Sequence, residues 1–168
     1  MNTETKPKKE SKLDIDSNYD LRLVSTLSPA LRWVLTLPIA FIAMFAVQVG
    51  FGTLVKLINS NLPMGEIVNT IMLSTVMLAK YAIFVIAATS TAPVARNKKF
   101  IVSIAAALIG ALLCVGGTAI SLSLSVAIDK TMLISTFAAS ILGLLLGIWK
   151  VRSATSKTLT EENKASQL

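Results

Sequence analysis

Residues 66–93 read EIVNTIMLSTVMLAKYAIFVIAATSTAP. After the opening glutamate the only charged side chain before Pro93 is Lys80, and about 20 predominantly apolar residues rising about 1.5 Å each match a hydrocarbon core about 30 Å thick. The stretch therefore reads as a transmembrane helix carrying one amine near the bilayer midplane. Turn-forming residues from Asn59 to Gly65 introduce it, and Pro93, which cannot continue a helix, stops it.

Three more stretches of this kind surround it, placing spans at 38–58, 67–92, 100–128 and 131–150. Their connections are short, which makes sequential helices antiparallel neighbours. The expected fold is an all-α polytopic membrane protein, four transmembrane helices in an antiparallel bundle over residues 28–151. Disordered tails are expected at 1–27 and 152–168, which are rich in charged and polar residues and have little to bury. Composition agrees: 54% of the 168 residues are hydrophobic and 15% charged, more apolar than a soluble domain that must cover itself with polar surface.

Ser28-Pro29 is a good helix start, with the serine hydroxyl expected to cap free backbone N–H groups and the proline at the first helical position. A helix from Ser28 to Ile58 is too long for one straight span, at about 46 Å. Pro38 is therefore expected to kink it, leaving Pro29 to Leu37 tilted or in the headgroup layer. The first apolar run exceeds the 7 to 15 residues of a signal peptide and follows a long polar stretch, so it reads as a span.

Orientation follows from the basic residues, which are retained on the cytoplasmic side. Lys6, Lys8, Lys9, Lys12, Arg22, Arg32, Arg96, Lys98, Lys99, Lys150, Arg152, Lys157 and Lys164 flank one side, while the other has only Lys56 and Lys130. Both termini are expected in the cytoplasm, and Trp33 and Trp149 fall at that same boundary, where aromatic residues anchor. Within this basic set, Arg32, Arg96, Lys98, Lys99, Lys150 and Arg152 form the orientation signal and a candidate site for anionic lipid headgroups. The net charge of +7 does not imply nucleic acid, because the basic residues form no stripe interleaved with aromatics.

A charged side chain at the midplane costs on the order of 2.5 to 3.5 kcal/mol, so Lys80 needs an answer. Gln48 is the best internal candidate, being at similar depth in the first span, and Thr118, Cys114, Thr136 and Ser140 are comparably deep in the third and fourth. Three readings stay open: the amine snorkels or is buried among neutral polar groups; it pairs with an acidic residue on another protein's helix; or it lines a pore for an anion or polar solute.

Small residues recur at helical spacing. Ser135, Ala139, Gly143 and Gly147 form one row, with Gly143 and Gly147 as a GxxxG pair; Ala106, Gly110, Cys114 and Thr118 form another, and Gly117, Ser121 and Ser125 a third. Such rows let backbones approach closely. One row per helix is expected from packing the third and fourth spans as a hairpin, which leaves a surface for the first span or another subunit.

With no histidine and a single cysteine, histidine-based acid–base chemistry, bis-histidine haem ligation and an intrachain disulfide are absent from the sequence. No cofactor, metal or nucleotide motif is present, and Cys114 reads as a packing residue. The expected function is that of a non-enzymatic membrane component associating with another membrane protein or with itself. A small oligomeric channel or transporter lined by Lys80 and Gln48 is the alternative. Short loops, low cysteine and the lack of glycosylation acceptors fit a bacterial inner membrane.

Overall fold

The structure, a computed structural model, describes residues 14–16, 18–62, 65–123 and 129–165, the side chains of 157–165 excepted. Among the described residues five α-helices follow one another: the single turn α1 (Arg22–Ser25), α2 (Pro29–Asn61), α3 (Glu66–Thr91), α4 (Lys99–Ser123), entered through a 3₁₀ turn at Arg96–Lys98, and α5 (Lys130–Ala165). Among the described residues four segments are long and apolar enough to cross a membrane: Pro29–Asn61, Glu66–Thr91, Arg96–Ser123 and Lys130–Ser156. The end of the third expected span, including Ser125, lies outside the described residues.

Helix ends follow local chemistry, with one departure. Pro29 occupies the first turn of α2, but the Ser28 hydroxyl makes no capping bond; only its carbonyl is used, by the Arg32 amide at 3.0 Å. At α5 the expected side-chain capping occurs instead on Asp129, whose carboxylate accepts from the amides of Thr131 at 3.0 Å and Met132 at 3.2 Å. The helix of α2 runs through Pro38, whose missing N–H falls on an exposed side beside Val34.

The central helix is α3. Phe84 and Val85 are fully buried, and Ala40 from α2, Ala106, Ala107 and Cys114 from α4, and Leu144 from α5 join them in the core. Phe41 meets Phe84 edge to face, centroids 5.6 Å apart, an arrangement suited to the ring quadrupoles. Lengthwise, Arg32 of α2 reaches Thr91 of α3, Gln48 reaches Lys80, Phe84 faces Gly110, and Arg152 of α5 lies over Phe100 of α4. Ser74 and Ser135 share a 2.8 Å hydrogen bond near the opposite end of α3 and α5.

The glycine pair of α5 is used differently from the sequence expectation. Gly143 and Gly147 face α3 rather than α4: a Cβ at Gly143 would stand 2.3 Å from the Leu78 carbonyl oxygen, and one at Gly147 would stand 2.8 Å from Val85 Cβ. Ala139 is buried on the same helix. Gly110 of α4 admits Leu144 instead, with 2.6 Å between its hypothetical Cβ and Leu144 Cδ2. By contrast, Gly116 and Gly117 have nothing within 4 Å. The third and fourth spans thus pack through Gly110 of α4, as expected of a hairpin, while the glycines of α5 serve α3, which takes the closest backbone approach.

The expected tails also differ. Residues 152–165 continue α5 as helix, with Val151 and Thr155 buried, and residues 18–27 fold against the bundle with Tyr19 and Val24 buried. In the amino-terminal segment the apolar side chains of Tyr19 and Val24 pack, which a judgement on average polarity overlooks.

Gly143→Ala forces a methyl group onto backbone that cannot yield and should cost about 1 to 3 kcal/mol by overpacking. Gly116→Ala, in open space within a helix, should be neutral or stabilising by up to about 1 kcal/mol. Thermal unfolding of the two variants in one detergent measures the contrast.

Candidate functional site

Lys80 lies about three turns before the end of α3, one turn beyond Met77. Its Nζ donates to Gln48 Oε1 at 3.3 Å, approaches Met77 Sδ at 3.8 Å and sits 5.4 Å from the centroid of the Tyr81 ring. Among the described residues these partners are all neutral. Sequence depth alone paired Lys80 with Gln48, and the helix register of α2 against α3 brings the two together.

Beside the amine opens a crevice of about 260 Å³ between α3, α4 and α5, whose walls include Cys114, Gly117, Thr118, Ser121, Thr136 and Ser140. Each serine and threonine hydroxyl there donates to its own helix: Thr118 to the Cys114 carbonyl at 2.8 Å, Ser121 to Gly117 at 2.9 Å, Thr136 to Met132 at 2.8 Å and Ser140 to Thr136 at 2.7 Å. With their protons spent, these oxygens present lone pairs to the crevice, and Lys80 supplies N–H donors and positive charge. The arrangement can hold a group with both acceptor and donor character, or a carboxylate against the amine. Cys114 is buried and contributes a small packing surface. No cluster of His, Cys, Asp and Glu able to hold a metal occurs among the described residues.

A second concentration of charge lies where α3 ends. Four successive carbonyls there lack helical partners unless others supply them. Lys99 Nζ donates to Thr89 O at 3.0 Å and to Ala92 O at 2.7 Å; the Leu21 amide donates to Ser90 O at 2.9 Å; Arg32 Nε donates to Thr91 O at 3.1 Å and its Nη2 to Ala92 O at 3.4 Å. Two cations thus meet the negative end of the α3 dipole. Both also bind one carboxylate oxygen, Asp20 Oδ1, at 2.6 Å each.

Asp20 is held there by a tight loop. Asp16 Oδ1 accepts from the amides of Asn18 and Asp20 at 2.9 Å each, and Tyr19 between them adopts φ 61°, a left-handed conformation that costs a side-chain-bearing residue energy. In return the Tyr19 ring is buried and Asp20 points into the bundle. Burial acts to raise the Asp20 carboxyl, but hydrogen bonds and positive charge from Arg32 and Lys99 outweigh it and leave the group below the usual carboxylate range.

This geometry corrects the reading of the basic residues as one headgroup-facing set. Lys99 is fully buried and Arg32 nearly so, because both answer carbonyls of α3. Arg96 is half-buried, donating through Nη2 to Ala154 O at 2.6 Å and through Nε to Thr155 O at 3.4 Å. Arg152 is exposed with its guanidinium 5.6 Å from the Phe100 centroid. Lys98 and Lys150 are exposed. Asp20 was missed altogether; the turn-forming run Asp16 to Asp20 followed by the apolar Leu21, Leu23 and Val24 is the signal that could have found it.

Comparison with protein-family models, with curated proteins and with solved structures finds no match to this chain.

Because the folded pKa of Asp20 is depressed, its contribution to stability is present above the ordinary carboxylate range and is lost as pH falls through the folded value. Asp20→Asn should therefore cost on the order of 3 kcal/mol at neutral pH, the scale for stripping one partner from a buried pair. It should also flatten the acid limb of stability below about pH 4. Unfolding midpoints of wild type and variant between pH 7 and pH 3 check both.

Proposed function

We propose that this chain is a non-enzymatic integral membrane protein that acts as an accessory or assembly component, associating through its transmembrane helices with another membrane protein or with a second copy. The observation that carries the reading is the amine of Lys80, whose partners among the described residues are neutral, beside a crevice whose α4 wall includes Gly117, where a Cβ would meet nothing within 4 Å. A midplane charge carries a cost of on the order of 2.5 to 3.5 kcal/mol. A carboxylate on an incoming helix recovers it, and glycine backbone gives that helix room to approach.

The same proposal takes the bundle as antiparallel, with both termini in the cytoplasm of a bacterial inner membrane. Support comes from contacts pairing the start of α2 with the end of α3 and the start of α4 with Arg152 of α5. Further support is the gathering of Arg32, Arg96, Lys98, Lys99, Lys150 and Arg152 at one end, with Lys56 and Lys130 at the other.

A channel or transporter is the second reading, favoured by the polar lining of the crevice and by the Gln48–Lys80 pair at its edge. Permeation distinguishes it: proteoliposomes that pass a small anion, with selectivity altered in Lys80→Gln, support the second reading.

Under the assembly reading, affinity purification in mild detergent yields a complex larger than one chain by native mass spectrometry. Lys80→Met keeps the helical signature and lowers recovery of the companion about tenfold, corresponding to loss of about 1.4 kcal/mol. A monomer in both preparations, or equal recovery, contradicts it.

A further inference from the structure

At the end of the bundle where Arg32 and Lys99 are buried, a groove of about 640 Å³ runs between α2 and α3. Ile39, Ile42 and Ala43 form one wall, Ile83 and Ile86 the other, and Ile15, Leu21 and Leu23 of the amino-terminal segment close it at the level where α3 ends. A second recess of about 460 Å³ adjoins it, and Ile15 and Ile86 line both. The remaining walls of this recess are polar: Asp16, Tyr19, Arg96 and Lys150, with Ala154. An apolar channel inside the span thus meets a charged cup at its boundary, across a ridge of two isoleucines.

We infer that the joined recesses bind one anionic phospholipid, its phosphodiester held by Arg96 and Lys150 and an acyl chain laid along Ile39, Ile42, Ala43 and Ile83.

The charge balance selects the headgroup. Among the residues that line the cup, two cations, Arg96 and Lys150, stand against one carboxylate, Asp16, whose Oδ1 already accepts two backbone amides, and this excess of cations favours an anionic headgroup. Arg96 is positioned by its bonds to the carbonyls of Ala154 and Thr155, which reduces the entropy lost when a ligand orders it. The apolar groove adds shape but little selectivity, because hydrocarbon outside the protein is as apolar as its walls. Preference must therefore arise at the headgroup. A lipid suits the groove better than a partner helix, since a lipid ends at the headgroup layer while a crossing helix would have to continue through Ile15, Leu21 and Leu23.

The test uses the purified full-length chain in detergent and native mass spectrometry, titrated with phosphatidylglycerol and with phosphatidylcholine of the same acyl chains. Wild type is expected to retain phosphatidylglycerol at about fivefold lower concentration, the scale of one basic residue near a membrane surface. Lys150→Ala, at an exposed position, should erase that preference, and Ala43→Phe, which fills the groove, should weaken retention of both lipids about tenfold. Lys80→Met should leave the preference intact, which separates this site from the assembly reading. Equal retention of the two lipids by wild type, or a preference untouched by both Lys150→Ala and Ala43→Phe, overturns the inference. Displacement of phosphatidylglycerol by an equal concentration of glycerol phosphate overturns the assignment to a lipid.

Discussion

The carbonyl end of α3 terminates inside protein, and everything at that end of the bundle is arranged around answering it. Thr89, Ser90, Thr91 and Ala92 receive donors from three separate parts of the chain: Leu21, Arg32 and Lys99. A buried helix end without such partners would leave several carbonyls desolvated, each at a cost of about 1 to 3 kcal/mol. Using cations as donors satisfies the dipole as well, but it brings two positive charges into one buried place. Asp20 resolves that second problem, and fixing Asp20 in turn requires the Asp16 loop and the left-handed backbone of Tyr19. The amino-terminal segment is thereby bound to the bundle by the ion pairs of Asp20 together with the buried side chains of Tyr19 and Val24.

Halfway along α3 the same constraint is met with fewer resources. Lys80 has Gln48, a thioether and an aromatic ring within reach, and no carboxylate among those partners. At the helix end the chain supplies an acid for its buried cations; at the crevice it supplies hydroxyls whose protons are already committed. The contrast between two lysines, one answered by a carboxylate and the other, among the described residues, by neutral groups alone, is what the proposed docking at Lys80 rests on.

Much of this was legible in the sequence. The four long apolar segments, the depth match of Lys80 with Gln48, and the polar residues Thr118, Thr136 and Ser140 near it follow from length, hydropathy and helical spacing, which are local properties. What was not legible depended on which helix is central. The glycines at 143 and 147 announce close contact but not its recipient, and the recipient is α3. Arg32 and Lys99 are identical in composition terms to Lys98 and Lys150, yet two are buried and two exposed, because only the first pair lies against unpaired carbonyls. Asp20 was hidden by averaging: a segment judged by its charge looks solvated, while its few apolar residues, Tyr19 and Val24, are the ones that pack.

The most direct measurement is amide hydrogen exchange of the full chain reconstituted in lipid nanodiscs, read at Leu21 and Val24. Both amides donate to backbone carbonyls, Leu21 to Ser90 at 2.9 Å and Val24 to Leu21 at 3.0 Å. The account predicts slow exchange at these positions, comparable to the last turn of α3, since a sealed helix end opens only with the bundle. Exchange at the rate of a free peptide at Leu21, with α3 still protected, would contradict it.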